Sequence, residues 1–271
     1  KGKFRIAGIK STNPIVVGDK VEVVQESELW MIVKLHDRKN HILRKSVNLS
    51  KQTHIIAANI DQALLMITLD SPVTTTGFID RFLVAANAYG IEVVLLFNKV
   101  DLLDDELKIQ QENLKKVYEN IGHTCFATSV INDDLSPIKD LMKGKVNMIS
   151  GHSGVGKSTL INYLQPDLHI NTKEVSDTHR QGQHTTTFSE LHELDFGASI
   201  IDTPGIRGFG LVELEVAELA NYFPEFFALK LKCKFHNCIH KREPQCAVKS
   251  ALEDGVIAES RYKNYLKMLI E

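Results

Sequence analysis

The octapeptide at 151–158, GHSGVGKS, has the glycine spacing and the closing Lys-Ser pair that cradle a phosphate chain. It fits G-x-x-x-x-G-K-[ST], following the apolar run VNMIS (146–150) and preceding an amphipathic segment, which is the strand-to-helix context the motif requires. Gly151, Gly154 and Gly156 let backbone N–H groups turn inward around phosphate oxygens, and the helix N-terminus adds its positive dipole end. Lys157 supplies a point charge for the β- and γ-phosphates, and the Ser158 hydroxyl is placed to ligate Mg²⁺. The bland alternative is an ordinary strand–helix turn, which has no need of three glycines and a Lys-Ser pair in this register.

A phosphate loop does not name the base, whereas NKVD at 98–101 does. The Asp101 carboxylate can accept two hydrogen bonds, from the N1–H and the exocyclic amine of guanine. Adenine lacks that donor pair and would leave the charge unpaired, at a cost of ~1–3 kcal/mol. Asn98 can bond the base and brace the phosphate loop, and the Lys99 stem can lie over the ring face. Four letters alone are a weak match. After a buried strand, in a chain that also holds a phosphate loop, they point to GTP.

Three further elements complete the set. IIDTPG at 200–205 ends an apolar strand in Asp202, which would hold Mg²⁺ through water, and Gly205 offers an N–H near the γ-phosphate position. TTT at 185–187 lies between the phosphate loop and Asp202, where a threonine completing the Mg²⁺ shell must fall, although spacing does not choose among the three. Thr128 and Ser129 could present backbone groups to the guanine O6. The residue after D-x-x-G, which is Gln in Ras-like GTPases, is Ile206. Intrinsic hydrolysis is therefore expected to be slow, with His184 as the candidate water-orienting residue against a plain loop role. The order is also unlike Ras, since Asn98 precedes Gly151 by 53 residues. A circular permutation keeps such a pocket, because only convergence at the strand ends matters.

A second constellation lies near the C-terminus. Cys233, Cys238, His240 and Cys246 are spaced C-x₄-C-x-H-x₅-C, a closed set of three thiolates and one imidazole of structural-zinc type. His236 is the competing imidazole. A segment this small has little core, so the metal would supply much of its folding energy. Cys125 falls in an apolar run and reads as a small hydrophobe.

The elements that must position these groups are legible from periodicity. ALLMITL (63–69), EVVLLF (92–97), TCFATS (124–129), VNMIS (146–150) and ASIID (198–202) read as strands, with ELHEL (190–194) alternating. Helices are expected at 77–89, 104–120 and 137–142 and from about Gly156. In the first of these, Phe78, Phe82, Leu83 and Ala86 face the core while Asp80 and Arg81 turn outward. This is an α/β domain with a mostly parallel sheet over residues 55–211. Residues 1–54 carry short β runs (21–24, 29–35, 42–47) typical of small antiparallel barrels, including OB-folds. Residues 212–271 read as a helical, zinc-binding module.

The 271 residues have a net charge of −2, which argues against a nucleic-acid partner until the chain is divided. Residues 1–54 hold eleven Lys or Arg against five Asp or Glu, and Lys230–Arg242 holds five basic residues and no acidic one. Both patches suit contact with a phosphate backbone. Trp30, Phe4 and Phe235 could stack on bases, but core packing is the safer expectation for each. The composition excludes wholesale disorder, a membrane-spanning helix and a disulfide scaffold, and the N-terminus lacks an apolar signal-type run. A cytoplasmic setting follows.

Taken in order, the β-rich start, N-K-x-D ahead of G-x-S-G-V-G-K-S, G-x-H-T-T-T at 182–187, D-T-P-G and C-x₄-C-x-H-x₅-C resemble the RsgA (YjeQ) family. These are circularly permuted GTPases of bacterial small-ribosomal-subunit biogenesis. The resemblance covers essentially the whole chain. It implies a circularly permuted P-loop GTPase domain between an OB-like barrel and a zinc-binding helical domain. It also implies GTP/GDP with Mg²⁺, one structural Zn²⁺, and ribosome-stimulated hydrolysis. The implied partners are the 30S subunit and 16S rRNA, with the protein acting as a monomer away from membranes. By carry-over, Asn98, Lys99, Val100 and Asp101 line the nucleotide with Ser129, Asp202 and Gly205. So do Gly151, His152, Ser153, Gly154, Val155, Gly156, Lys157, Ser158 and Thr159. Thr187 joins Ser158 and Asp202 at Mg²⁺, and His184, Lys157 and Thr187 are the catalytic candidates. No counterpart of the family's first OB strands precedes Lys1, so the resemblance leaves barrel closure open. The rival expectation is a GTP-regulated RNA-binding or signalling switch that does not act on the ribosome.

Overall fold

The computed structural model describes residues 14–45, 53–168, 189–202 and 215–270. Its centre is a six-stranded sheet of β5 (Gln62–Ile67), β6 (Glu92–Phe97), β7 (Thr124–Ala127), β8 (Val146–Ser150), β9 (Glu190–Leu194) and β10 (Ala198–Asp202). The order across the sheet is β7-β6-β5-β8-β10-β9, with every pairing parallel except β9 on β10. The two middle strands, β5 and β8, come from distant parts of the chain.

Helices cover both faces, which is why β5 reads as an unbroken apolar run. Its side chains alternate between two cores: Ala63, Leu65 and Ile67 pack with α1 (Thr76–Ala88) and α2 (Asp105–Glu119). Leu64 and Met66 pack on the opposite face with α3 (Ser136–Met142) and α4 (Lys157–Leu164). Burying each of these leucines contributes about 1.5–3 kcal/mol. Helix α1 starts at Thr75, whose side chain accepts from the Phe78 N–H, and α2 starts at Asp104, which accepts from the Leu107 N–H.

The N-terminal module contributes two antiparallel pairs. One joins β1 (Val21–Glu26) to β2 (Leu29–Leu35), and the other joins β3 (His41–Lys45) to β4 (Thr53–Ala58). Among the described residues, an isolated bridge between Val17 and Ala57 ties the preceding turn to β4. The described residues thus show β-pairing without a closed barrel. Gly18 packs against β4, with φ +85° and a hypothetical Cβ only 2.0 Å from the Ala58 carbonyl oxygen, so no other residue fits there.

The C-terminal module holds α5 (Pro224–Lys230), α6 (Ala247–Glu253) and α7 (Glu259–Met268) around a third core containing Phe223, Phe226, Tyr265, Cys238 and Cys246. Val84 of α1 belongs to this core too, so the GTPase-type domain and the zinc-type module share one apolar seam.

Two expectations fail here. Asp80 does not turn outward: it is fully buried, facing α7 and α2, because a guanidinium from the C-terminal module supplies its partner. Core packing also fails for two aromatics, since Trp30 is 65% exposed and Phe235 40% exposed. Phe4 lies outside the described residues. Cys125 is half-buried against the first core, and burial pushes its thiol up to about 12.

Candidate nucleotide site and metal cluster

The parallel strands β5, β6, β7, β8 and β10 deliver their C-terminal ends to one edge of the sheet, where ligands of such folds bind. The loop 151–156 leaves β8 there and enters α4 at Lys157. Gly151 and Gly156 sit at φ +141° and +104°. A Cβ at Gly151 would stand 2.6 Å from the Met66 carbonyl oxygen, and one at Gly156 would stand 2.5 Å from Asn98 Nδ2. The glycines are therefore required both by backbone conformation and by close approach. Lys157 Nζ donates to the carbonyl oxygens of Gly151 and His152, at 2.8 and 2.6 Å, holding its charge within the concave face of the loop. Burial and then the Lys157 charge hold the His152 imidazole below its ordinary pKa.

Asn98 locks three segments together. Its Nδ2 donates to the Val155 carbonyl at 2.8 Å, its Oδ1 accepts from the Val130 N–H at 3.2 Å, and the residue is only 5% exposed. The bracing role expected of this side chain is what the geometry shows. Lys99 adopts the left-handed conformation (φ +64°) and donates through Nζ to the Ser71 carbonyl at 2.8 Å. Val100 begins a short 3₁₀ turn that carries Asp101 exposed at the rim. Ser129 lies beside this turn, but its N–H donates to Asp133 Oδ2 at 2.6 Å and its Oγ accepts from Asn132. Its backbone donor is thus already engaged. Ser158 and Thr159 lie on the first turn of α4, and the β10 backbone reaches Asp202 beside β8. His184, Thr185, Thr186, Thr187, Gly205 and Ile206 lie outside the described residues, as does the side chain of Asp202.

Sequence reasoning missed the loop 68–75, between β5 and α1. Besides holding Lys99, it places Pro72 Cδ 3.5 Å from the position of a Cβ on Gly154, while Phe78 in the first turn of α1 packs against His152 with ring centroids 4.0 Å apart and planes tilted by 33°. Nothing in the local letters signals these contacts, because they depend on which strand lies beside β8.

The second site is compact. Single ligand atoms from Cys233, Cys238, His240 and Cys246 all lie within 4.8 Å of one another. His240 offers Nδ1, 3.3 Å from Cys246 Sγ and 3.7 Å from Cys233 Sγ, and His236 is outside the group. Tetrahedral zinc with bonds of about 2.0–2.3 Å needs donors at about this mutual spacing, so the residues fit the ion. None of the three cysteines is in a disulfide, and burial pushes Cys238 up to about 12 and raises Cys246, so binding a metal there would displace protons. Two tyrosines of α7 hold the loop by its backbone: Tyr262 donates to the His240 carbonyl and Tyr265 to that of Ile239.

Comparison with known proteins agrees with this picture. A family model described as RsgA GTPase matches residues 35–212. The chain is 57% identical to the small ribosomal subunit biogenesis GTPase RsgA of Flavobacterium johnsoniae, over 99% of this chain and 84% of that protein. The corresponding protein of Bacteroides fragilis is 49% identical, over 99% and 87%. Among solved structures, YjeQ from Thermotoga maritima superposes with a TM-score of 0.80 at 36% identity, covering all of this chain and 87% of that one. YloQ, described as a circularly permuted GTPase, gives 0.75 at 30% identity, over 98% and 84%.

Proposed function

This chain belongs to the RsgA GTPase family, and we propose that it works as a GTP-gated assembly factor of the small ribosomal subunit in the cytoplasm. The observation that carries the reading is the Asn98 bracket: one buried amide joins the base-reading turn to the phosphate loop. In this reading Asp101 takes the guanine edge and the loop 151–156 and α4 N–H groups take the phosphates. Lys157 moves from the loop carbonyls onto the phosphate chain. Ser158, Thr187 and Asp202 hold Mg²⁺, which supplies charge neutralisation when bound. His184 orients the attacking water. Zn²⁺ sits in the Cys233–Cys238–His240–Cys246 set.

Three modules divide the work: residues 1–54 as an OB-like β-module, 55–211 as the GTPase domain, and 212–271 as the zinc module. The basic charge at both ends suits 16S rRNA. Hydrolysis promoted by the 30S subunit then releases the protein. The test is GTP turnover alone and with 30S, 50S or free RNA. Equal rates in the four mixtures overturn the ribosomal reading. Asp101→Asn should lose GTP and accept xanthosine triphosphate; no gain of xanthosine triphosphate turnover overturns the role of Asp101.

A further inference from the structure

Helix α1 touches both sites. At its first turn, Phe78 lies on His152 of the phosphate loop with ring centroids 4.0 Å apart. The preceding loop brings Pro72 against Gly154. Two residues on, Asp80 accepts hydrogen bonds from Arg261 (2.7 Å) and Asn264 (2.6 Å) of α7 and from Tyr118 of α2 (2.9 Å). Asn264 also donates to Thr76 Oγ1 at 3.1 Å. Farther along, Val84 enters the core that contains Cys238 and Cys246, and Asn87 Nδ2 donates to the Tyr222 carbonyl at 3.0 Å. Helix α7 in turn holds the metal loop by its backbone through Tyr262 and Tyr265.

We propose that Phe78 is a positioning residue through which the zinc module fixes the rim of the phosphate loop, so that zinc and guanine nucleotide bind with positive coupling. The inference rests on the reading that the loop 151–158 takes a guanine nucleotide. It adds a path that the order of the sequence does not suggest, since it bypasses the covalent connection at 203–214 entirely. The physical basis is rigidity. The Asp80 carboxylate, the Arg261 guanidinium and Asn264 are all almost fully buried, so α1 and α7 cannot slide without unpairing buried charges. An aromatic contact at 4.0 Å leaves the His152 segment little freedom while α1 is held. With zinc absent, the loop that Tyr262 and Tyr265 hold loses its cross-link, α7 and through it α1 are less constrained, and nucleotide must order a looser loop. Linkage requires the reverse effect of equal size, so nucleotide strengthens retention of zinc.

The test uses the zinc-loaded full chain. Release of zinc into a chromogenic chelator is timed with and without saturating GDP, alongside GDP affinity by fluorescence. GDP should slow release about fivefold or more. Phe78→Leu, which keeps apolar bulk but loses the ring contact, should bring the ratio close to one at a GDP concentration that fluorescence shows to saturate the variant. Phe78→Tyr should keep it. A wild-type ratio of one with GDP bound overturns the coupling and leaves the GTPase reading standing. An undiminished ratio in Phe78→Leu overturns the route through Phe78. Failure of any guanine nucleotide to bind overturns both readings.

Discussion

Replacing Arg261 by Met tests whether the buried polar junction holds the C-terminal helices to α1 and α2 of the GTPase fold. The guanidinium donates to Glu225 through Nε and Nη2 at 2.7 and 3.0 Å and to Asp80 through Nη1 at 2.7 Å. It also lies 4.6 Å over the Phe223 ring. Burial opposes its charge, but the Asp80 and Glu225 carboxylates outweigh that and hold it above its ordinary range. Burial likewise pushes the Asp80 carboxyl up, against the pull of Arg261, Asn264 and Tyr118. Met keeps most of the volume and removes the charge, leaving two carboxylates without their cation. The cost of breaking such a buried pair is about 3–5 kcal/mol. At a urea slope of roughly 3 kcal/mol per molar for a chain of this size, the midpoint should fall by roughly 1–2 M. Circular dichroism in a urea titration reads it. The triple variant Arg261→Met, Asp80→Leu, Glu225→Met removes all three charges and should regain part of the loss. Tyr118 and Asn264 would still lack their acceptor, at about 1–3 kcal/mol. A single-variant loss below about 1 kcal/mol, the range of an exposed pair, would refute the reasoning. So would a triple variant no better than the single one.

Gly156→Ala should abolish nucleotide binding, because its Cβ would meet Asn98 Nδ2 at 2.5 Å in a backbone conformation alanine avoids; GDP affinity measured by fluorescence within tenfold of wild type would contradict this. Asp61 joins the N-terminal module to β8: it accepts from the Val146 N–H at 2.8 Å and from Lys39 at 3.0 Å. Burial alone would raise its pKa, yet the Val146 N–H and Lys39 outweigh it and the folded value is lowered. Its contribution is therefore present above the ordinary Asp pKa and is lost as pH falls through the depressed folded value. The gap in melting temperature between wild type and Asp61→Asn should be open at pH 7 and close on acidification, and a gap constant across that range would contradict it.

Much of the GTPase-type domain was legible because its signals are local. Strand β8 falls on VNMIS as its apolar run predicts, α4 begins at Lys157, one residue after the expected start near Gly156, and Asn98 braces the phosphate loop as its place after β6 suggests. Asp80 was misread because a carboxylate among apolar neighbours on a helix points to solvent unless a partner is known, and Arg261 lies 181 residues away. Trp30 was misread as core for a related reason. Its strand has apolar side chains on both faces, and alternation alone does not say what covers them. Ser129 illustrates a finer limit: its position was foreseen, but capture of its N–H by Asp133, four residues on, was not. Spacing fixes where a donor sits, and only packing shows whether it is free.

The strand order also sets a schedule for synthesis. β5, β6 and β7 occupy one half of the sheet and lie within residues 62–127, while β8, β9 and β10 fill the other half and lie within 146–202. A nascent chain therefore completes the half that carries Asn98–Asp101 first, with β5 presenting an apolar, unpaired edge until β8 is translated. Open apolar edges invite pairing with other chains. Moving the termini thus gives this protein an interval during its own translation in which aggregation competes with folding, one that ends when Val146–Ser150 docks beside β5.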